Sequence, residues 1–320
     1  MKTVKKAYTQ NWRAYNAYQM NEKELFMDLL SDICRTVEEP EYRFGRPKIP
    51  LSDIVFCCAL KVYSMKSGRR FSGDMRQAEK LGYITHVPHY NSIFNYLKRP
   101  KIKSVLSELI GKTSLPLAGT ETRFAVDSSG FSGAYYDRWA EYKYITSRRK
   151  GKTWTKCHII CGTKTNIITS VRLSDSDRHD SAFFSDLVLE TSGKFNIKEV
   201  SADKAYLSSK NLSLVDELGG TAYIPFKSNS ISRARHPRIW KKMYHHFMSN
   251  REEFMEHYHK RSNVETAFHM IKSKFGSSLK TRDRTAQHSE ILCKVLCHNI
   301  CVMIREMHRA GLYKKTGYAS

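Results

Sequence analysis

The chain has 320 residues, of which 41% are hydrophobic and 12% aromatic, enough to bury a substantial core and to exclude general disorder. Its 54 lysines and arginines outnumber 31 aspartates and glutamates, and the formal charge of +23 predicts a polyanionic partner, most simply a nucleic acid. The longest uninterrupted apolar run, residues 54–60, is too short to span a bilayer, and residues 1–3 lead into no apolar segment typical of a secretion signal.

Helical patterns come first along the chain. Helices are predicted at residues 52–61, 72–81 and 89–98, after a basic, proline-containing linker at residues 41–50. The third helix carries the hydrogen-bonding side chains that a DNA-reading helix uses, namely Tyr90, Asn91, Ser92, Asn95 and Tyr96. A small helical bundle that only supports the next domain fits the pattern equally well. We therefore expect a helical first domain at residues 1–115 and leave its binding of DNA open.

The middle of the chain changes to short β-branched segments with little helical spacing. The pattern predicts strands at residues 123–127, 155–161, 166–173, 197–203 and 221–226, and helices at 181–190 and 208–218. Three strands followed by alternating helix and strand indicate an α/β layer structure. This order is similar to the ribonuclease H-like fold. We expect residues 116–320 to form a mixed five-stranded sheet flanked by helices, with a basic connector around residues 227–250 and a C-terminal helix.

Two aspartates end strands of this predicted sheet. Asp127 ends the first strand and Asp203 ends the fourth. Chemistry in open α/β sheets collects outside the carboxyl ends of strands, where two neighbouring carboxylates would repel each other unless a cation lay between them. Mg²⁺ suits oxygen ligands and keeps phosphate in its coordination shell. A metal site is thus one interpretation, and the other is that each aspartate simply ends its strand in a turn.

A long helix is predicted at residues 252–275 and contains the run YHKRSNVETAFHMIK. At about 100° per residue, Tyr258, Arg261, Glu265 and Lys272 fall within an arc of about 60° beside an apolar face. Glu265 is suited to complete a metal site, and the other three side chains are suited to hold phosphate oxygens. The alternative is a solvated stripe with an incidental Arg261–Glu265 ion pair.

Together these residues resemble the DDE transposases of bacterial and archaeal insertion sequences. Asp127, Asp203 and Glu265 match the acidic triad, and Tyr258, Arg261 and Lys272 around the Glu match the Tyr-Arg-Glu-Lys pattern of the insertion-sequence-four group. The segments ADKAY and FGSSLKTRDRT are also similar to family segments, although Lys204 and Ala205 stand where the family often has Arg and Gly. The interval between Asp203 and Glu265 is too short for a large inserted domain.

The resemblance implies an enzyme that cuts and rejoins transposon DNA ends by two-metal phosphoryl transfer. Asp127, Asp203 and Glu265 would be the catalytic residues and the ligands of two Mg²⁺ ions, for which Mn²⁺ would substitute. The implied partners are double-stranded DNA, both terminal inverted repeats and target, and a second copy in a homodimer on DNA, in the cytoplasm at the nucleoid. Two alternatives are a domesticated, non-cleaving DNA-binding protein and a ribonuclease H-like nuclease that cuts without strand transfer.

Two stretches without acidic residues, 142–174 and 218–250, are candidates for DNA contact, since aromatic residues are interleaved with the basic ones. We expect contacts with DNA from Tyr258, Arg261 and Lys272, and from Arg148, Arg149, Lys150, Lys152, Arg233, Arg235, Arg238, Lys241 and Lys242. Such contacts contribute affinity rather than sequence reading, so binding should fall steeply with salt.

The eight cysteines do not indicate a disulfide framework, because a chain of this size does not need one. Cys293, Cys297 and Cys301 recur every four residues along one helix face. Three ligands spread over about 12 Å of helix axis cannot converge on one zinc ion. We therefore interpret them as a buried stripe.

Overall fold

The computed structural model describes residues 12–41, 44–45, 48–133 and 154–312. In this part of the chain, five helices precede the sheet: α1 (Trp12–Cys34), α2 (Leu51–Ser64), α3 (Gly68–Lys80), α4 (Tyr90–Leu97) and α5 (Pro100–Ser114). The three helices predicted after the linker are confirmed as α2, α3 and α4. Helix α2 is apolar on almost every side and is buried by its neighbours, as such a helix must be.

The sheet consists, within the described residues, of β1 (Arg123–Ser132), β2 (Trp154–Gly162), β3 (Ile168–Asp175), β4 (Glu199–Ala202) and β5 (Thr221–Tyr223). The strand order is β3-β2-β1-β4-β5. Strands β1, β2 and β3 pair antiparallel, whereas β4 pairs parallel with β1 and β5 parallel with β4. Helices α6 (Phe184–Ser192) and α7 (Ser209–Glu217) lie between the later strands in the chain. The predicted ribonuclease H-like arrangement, a mixed five-stranded sheet flanked by helices, is confirmed.

Alternate residues of β1 enter two different cores, as the period of a strand requires. Phe124 and Val126 join α6 and α7 on one face. Ala125 and Phe131 face a second core that is continuous with the helices before the sheet. Four further helices complete the layers: α8 (Arg238–Ser249), α9 (Arg251–His259), α10 (Ser262–Phe275) and α11 (Arg284–Arg309). None of the helices in the described ranges is both long and apolar enough to cross a membrane.

The single helix predicted at residues 252–275 is wrong in one respect, because the chain turns between α9 and α10. At this turn the backbone N–H groups of Lys260, Arg261 and Asn263 each bond the carbonyl three residues earlier, the tighter pattern of a 3₁₀ turn. Glu199 on β4 holds the end of α9, since its carboxylate accepts from His257 Nδ1 at 2.9 Å and from Lys260 Nζ at 3.0 Å. A tertiary contact therefore accompanies the break that helical periodicity alone did not reveal.

The buried interpretation of the cysteine stripe is confirmed. All eight cysteines are free and buried, and Cys293, Cys297 and Cys301 lie on the face of α11 that packs into the second core. Burial raises the pKa of the Cys301 thiol to about 12, so this thiol is protonated and a poor metal ligand at neutral pH. The stripe is therefore part of the packing of α11.

A buried histidine on the same helix predicts acid destabilisation. His298 Nε2 lies 2.9 Å from the carbonyl oxygen of Asn166, and burial, with Arg305 and Lys274 adding, lowers the pKa of His298 from 6.5 to about 4. Between pH 6.5 and about 4 the native state therefore binds fewer protons than the unfolded chain. The free energy of unfolding is unaffected by His298 above pH 6.5 and decreases as the pH falls toward 4. We expect His298→Gln to reduce the slope of the free energy of unfolding against pH by up to about 1 kcal/mol per pH unit in this range.

Denaturant unfolding measured between pH 7.5 and 4 tests this expectation, with His245→Gln, an exposed position on α8, as the matched control. The control should keep the slope of the original protein. Because His158 and His288 also have a pKa lowered by burial to about 4, part of the slope remains in His298→Gln. A slope in His298→Gln as steep as in the original protein would contradict the assignment.

Candidate active site

The pairing of β1 with β4 brings two aspartates side by side. Their parallel register runs from Arg123 opposite Glu199 to Val126 opposite Ala202, so Asp127 and Asp203 each follow the last paired residue of their strands. The expectation that Asp127 ends β1 is wrong, because β1 continues to Ser132 along its antiparallel partner β2. Asp127 nevertheless lies where β4 ends, which is the edge at which the prediction located it.

Each aspartate is oriented by a neighbouring backbone N–H. The N–H of Ser128 donates to Asp127 Oδ1 at 2.8 Å, and the N–H of Lys204 donates to Asp203 Oδ1 at 2.6 Å. Asp203 is the N-cap of a 3₁₀ turn at Lys204–Tyr206, so Lys204 and Ala205 of the ADKAY segment lie in this turn. One oxygen of each carboxylate is thus held by its own chain, and the second oxygen is available to the site.

Arg261, at the turn between α9 and α10, joins Asp127 to Glu265. Its Nη1 donates to Asp127 Oδ2 at 2.6 Å, and its Nη2 donates to Glu265 Oε1 at 2.5 Å. Two carboxylates from distant segments of the chain are therefore within the span of one guanidinium group. The sequence pattern predicted the i,i+4 pair with Glu265 but not the bond from Arg261 to Asp127.

The three acids interact electrostatically in the folded chain. Burial raises the pKa of Asp127 above its ordinary value, and Glu265 and Asp203 add to the rise. These effects outweigh the Ser128 N–H and Arg261, which favour the charged form. Asp127 is therefore a carboxylate whose charge needs more positive compensation than Arg261 supplies. Its side chain is 21% exposed and that of Glu265 is 56% exposed, so a ligand can reach both.

Lys272 and Tyr258 contact neighbours of the acid cluster, the name used here for Asp127, Asp203 and Glu265. Lys272 Nζ donates to Ser129 Oγ at 2.6 Å and lies 5.2 Å from the centroid of the Phe131 ring, which fixes α10 against β1. The guanidinium carbon of Arg261 is 5.9 Å from the centroid of the Tyr258 ring. Burial lowers the pKa of Lys272. The four residues of the predicted stripe thus remain near one edge of the sheet despite the break in the helix.

Sequence reasoning did not assign a second polar cluster beside the acids. Asp180 accepts from Lys156 Nζ at 2.9 Å. Burial raises the pKa of the Tyr206 phenol, with Asp127 and Asp180 adding to the rise, so the phenol lies within electrostatic range of both carboxylates. Asp180 comes to this position as the first residue of the 3₁₀ turn Asp180–Phe183, which leads into α6.

The predicted DNA contacts outside the acid cluster divide into two groups. Arg148, Arg149, Lys150 and Lys152 lie outside the described residues. The second group lies on the connector before α8 and on α8 itself, where Arg233, Arg235, Arg238 and Lys242 are exposed and Lys241 Nζ donates to the carbonyl of Ala234 at 2.7 Å. This second group therefore forms an accessible basic surface.

The acid cluster has suitable chemistry for a divalent cation, although the arrangement described is not a closed set of ligands. Within the described ranges, no three His, Cys, Asp or Glu side chains are grouped so that they hold one metal ion. Asp127 and Glu265 instead share a cation, the guanidinium of Arg261. Carboxylate oxygens around an existing cation are the donors that Mg²⁺ prefers. The residues fit such an ion provided that Arg261 releases them.

Comparison with known protein families gives a match over residues 118–300 to the family described as Transposase DDE domain. The matched region begins just before β1 and ends within α11, so it contains the whole sheet, the acid cluster and the turn that carries Arg261.

Proposed function

Since the chain belongs to the family of transposase DDE domains, we propose that it is an insertion-sequence transposase that cuts and rejoins transposon DNA ends. The observation that carries this proposal is that Arg261 holds Asp127 and Glu265 together beside the end of β4, the strand that Asp203 follows. Widely separated acids gathered beside lysine and arginine are suited to phosphoryl transfer, in which charge develops on phosphate oxygens.

Each residue has a role in this proposal. Asp127 and Asp203 would hold two Mg²⁺ ions, with Mn²⁺ able to substitute, and Glu265 would complete the site. When bound, such ions activate the attacking oxygen of water or a 3′ hydroxyl and stabilise the departing 3′ oxygen. Arg261 would exchange its carboxylate partners for a DNA phosphate, a ligand that matches its planar fork equally well. Lys272 and Tyr258 would orient the phosphate backbone beside the acids.

The narrower assignment to the insertion-sequence-four group also belongs to this proposal. The spacing of Tyr258, Arg261, Glu265 and Lys272 supports it, and so does their common location beside β1. We further propose that the chain acts as a homodimer on DNA, because two transposon ends must be joined in one event. Residues 1–115 would form its helical N-terminal domain, packed through the shared second core against a catalytic domain at residues 116–320.

A cleavage and joining assay tests the function. The substrate is duplex DNA that ends in the short inverted repeats flanking the gene, incubated with Mg²⁺ or Mn²⁺ and a supercoiled target. We expect nicked ends and strand-transfer products, both of which disappear with a chelator. Nicks without joined products would indicate a nuclease, and specific binding without nicks would indicate a DNA-binding protein that does not cut.

The basic surface before and on α8 makes a separate prediction about affinity. If Arg238 and Lys242 each contact a phosphate, replacing both with alanine should reduce the slope of log affinity against log salt by about two. Titrations of end-containing DNA at several salt concentrations measure this slope. Replacing Lys23 and Lys198, which are exposed on α1 and at the amino end of β4, removes the same charge and should leave the slope unchanged. Equal slopes for both double variants would show that α8 does not contact DNA phosphates.

A further inference from the structure

A small pocket lies where the first helices meet the segment after α10. It is lined by Lys61, Phe94, Phe275, Lys280, Glu290 and Lys294, among others, and its volume is about 30 Å³. Lys61 comes from α2 and Phe94 from α4, whereas Lys294 and Glu290 come from α11. Exposed Met65 stands at its rim, so the pocket reaches the surface. We call this site the lysine pocket.

Lys61 is the unusual member of the lysine pocket. Its side chain is buried, with 8% of the residue exposed, and its ammonium forms no hydrogen bond or ion pair with any residue in the part of the chain that the structure describes. The other two lysines have protein partners. Lys294 Nζ donates to the carbonyls of Gly276 and Ser278 at 2.8 and 2.9 Å, and Lys280 Nζ donates to the carbonyl of Met65 at 2.8 Å. Lys61 is therefore a largely buried lysine whose ammonium has no protein acceptor and is left to the solvent that enters the pocket.

The carboxylate in the lysine pocket does not supply that acceptor. Glu290 accepts from the backbone N–H groups of Lys280 and Thr281, at 3.0 Å each, and from Thr281 Oγ1 at 2.9 Å. Three lysines thus face one carboxylate that is already bonded to its own neighbourhood. Burial lowers the pKa of both Lys61 and Lys294 to about 8, and Lys280 adds to each effect. Glu290 offsets part of this charge, since its Oε1 lies 3.8 Å from Lys294 Nζ, but the three lysines leave an excess of positive charge that an anion would compensate.

The size and position of the pocket limit the anion. One water needs roughly 10–15 Å³ by the same measure, so about 30 Å³ accommodates a single tetrahedral oxyanion and is too small for a nucleobase. Phe131 connects the pocket to the acid cluster, since the Lys272 and Lys294 ammonium groups lie 5.2 and 5.4 Å from its ring centroid. The pocket therefore lies close to Lys272, with the buried Phe131 ring in contact with both.

We propose that the lysine pocket binds one phosphate group between the first helices and the acid cluster, and that the Lys61 ammonium donates a hydrogen bond to it. The phosphate is either a phosphodiester of bound DNA, which rests on the proposed function, or a free phosphate ion, which does not. Because α2 and α4 supply one wall and α11 the other, an occupied pocket would fix the first helices against the segment that follows Lys272. The group would thereby link DNA binding to the position of α10.

Thermal unfolding of the full chain in sodium phosphate, compared with sodium chloride at equal ionic strength, tests the pocket without any cleavage step. We expect phosphate to raise the melting temperature of the original protein. In Lys61→Met, which keeps an unbranched side chain against the apolar wall, the dissociation constant for phosphate should rise about tenfold or more, the effect of losing a charge-assisted hydrogen bond. Lys23→Met, an exposed change of the same charge on α1, should bind phosphate as the original protein does.

The proposal is overturned if phosphate gives no more stabilisation than chloride, or if Lys61→Met binds phosphate as tightly as Lys23→Met. Should Lys61→Met not fold, half-buried Lys280→Met takes its place and must weaken phosphate binding.

Duplex DNA with single phosphates replaced by neutral methylphosphonates identifies the source of the phosphate in the lysine pocket. If neutralising one phosphate weakens DNA binding by the original protein but not by Lys61→Met, the pocket holds a DNA phosphate. If no position has this effect, the pocket holds free phosphate. Both readouts remain interpretable even if the chain cleaves no DNA.

Discussion

Replacing Asp127 with asparagine is expected to slow cleavage of end-containing DNA by about 10³-fold or more. Asparagine keeps the shape of the side chain but removes the charge with which Asp127 would hold a divalent ion, and that ion supplies several kcal/mol of transition-state stabilisation. DNA affinity should stay equal or increase, because one negative charge near the phosphates is lost. Single-turnover cleavage in Mg²⁺, together with a binding titration on the same DNA, separates the two quantities.

The variant should remain folded, which makes the loss of rate interpretable. Burial raises the pKa of Asp127, so the native state disfavours its charged form. Ionised Asp127 therefore lowers the free energy of unfolding at pH values above its ordinary pKa. A neutral asparagine removes that cost and can still accept from the N–H of Ser128, which offsets the loss of the ion pair with Arg261. Asp216→Asn, an exposed position on α7, makes the same chemical change away from the acid cluster and should cleave at the original rate. Cleavage by Asp127→Asn within about threefold of that control would refute the catalytic assignment.

The largest loss of stability is expected for Asn299→Ala. Asn299 is fully buried on α11, and its Oδ1 accepts from the N–H of Ile168 at 3.0 Å. Its Nδ2 donates to the carbonyl of Ile168 at 2.8 Å, to Thr113 Oγ1 at 3.2 Å and to the carbonyl of Ile110 at 3.3 Å. One amide thus joins α11 to the start of β3 and to the end of α5.

Alanine would remove both bonds from the Ile168 backbone and would also leave a small cavity, whereas the Ile110 carbonyl keeps the Thr113 hydroxyl as a donor. Each unsatisfied group costs about 1–3 kcal/mol, so we expect the free energy of unfolding to fall by about 3–5 kcal/mol. Chemical denaturation measures the change. Asn196→Ala, at an exposed position just before β4, should alter stability by less than about 0.5 kcal/mol. A loss below about 1 kcal/mol in Asn299→Ala would mean that water or relaxed backbone replaces the bonds.

Much of the fold was predictable because local patterns and burial agree. The five strands and the helices between them follow the predicted order. The β-branched segments favour strands, and the apolar faces of the helices can be buried against the sheet that these strands form. The lengths were less predictable. β1 extends past Asp127 because β2 pairs with it as far as Trp154, and this pairing depends on a partner rather than on the residues of β1.

The acids of the candidate site were named from the sequence, but their geometry was not predictable. Strand ends and helix spacing made Asp127, Asp203 and Glu265 candidates, and the resemblance to DDE transposases joined them in one triad. The turn at Arg261 could not, because the carboxylate of Glu199 that holds the end of α9 lies on a different strand. The bond from Arg261 to Asp127 follows from that turn. Helical bearings calculated for one continuous helix cannot describe a site assembled across a break in it.

The sequence by itself determined the charge, the α/β order and the residues able to bind phosphate, because these depend on composition and on periods of a few residues. Tertiary structure alone decided which partners those residues meet. Lys61 and Lys294 read as ordinary members of helices, and only the packing of α2 against α11 encloses their ammonium groups in one pocket. Electrostatic cost depends on burial and on distance in space, and neither quantity is encoded by spacing along the chain.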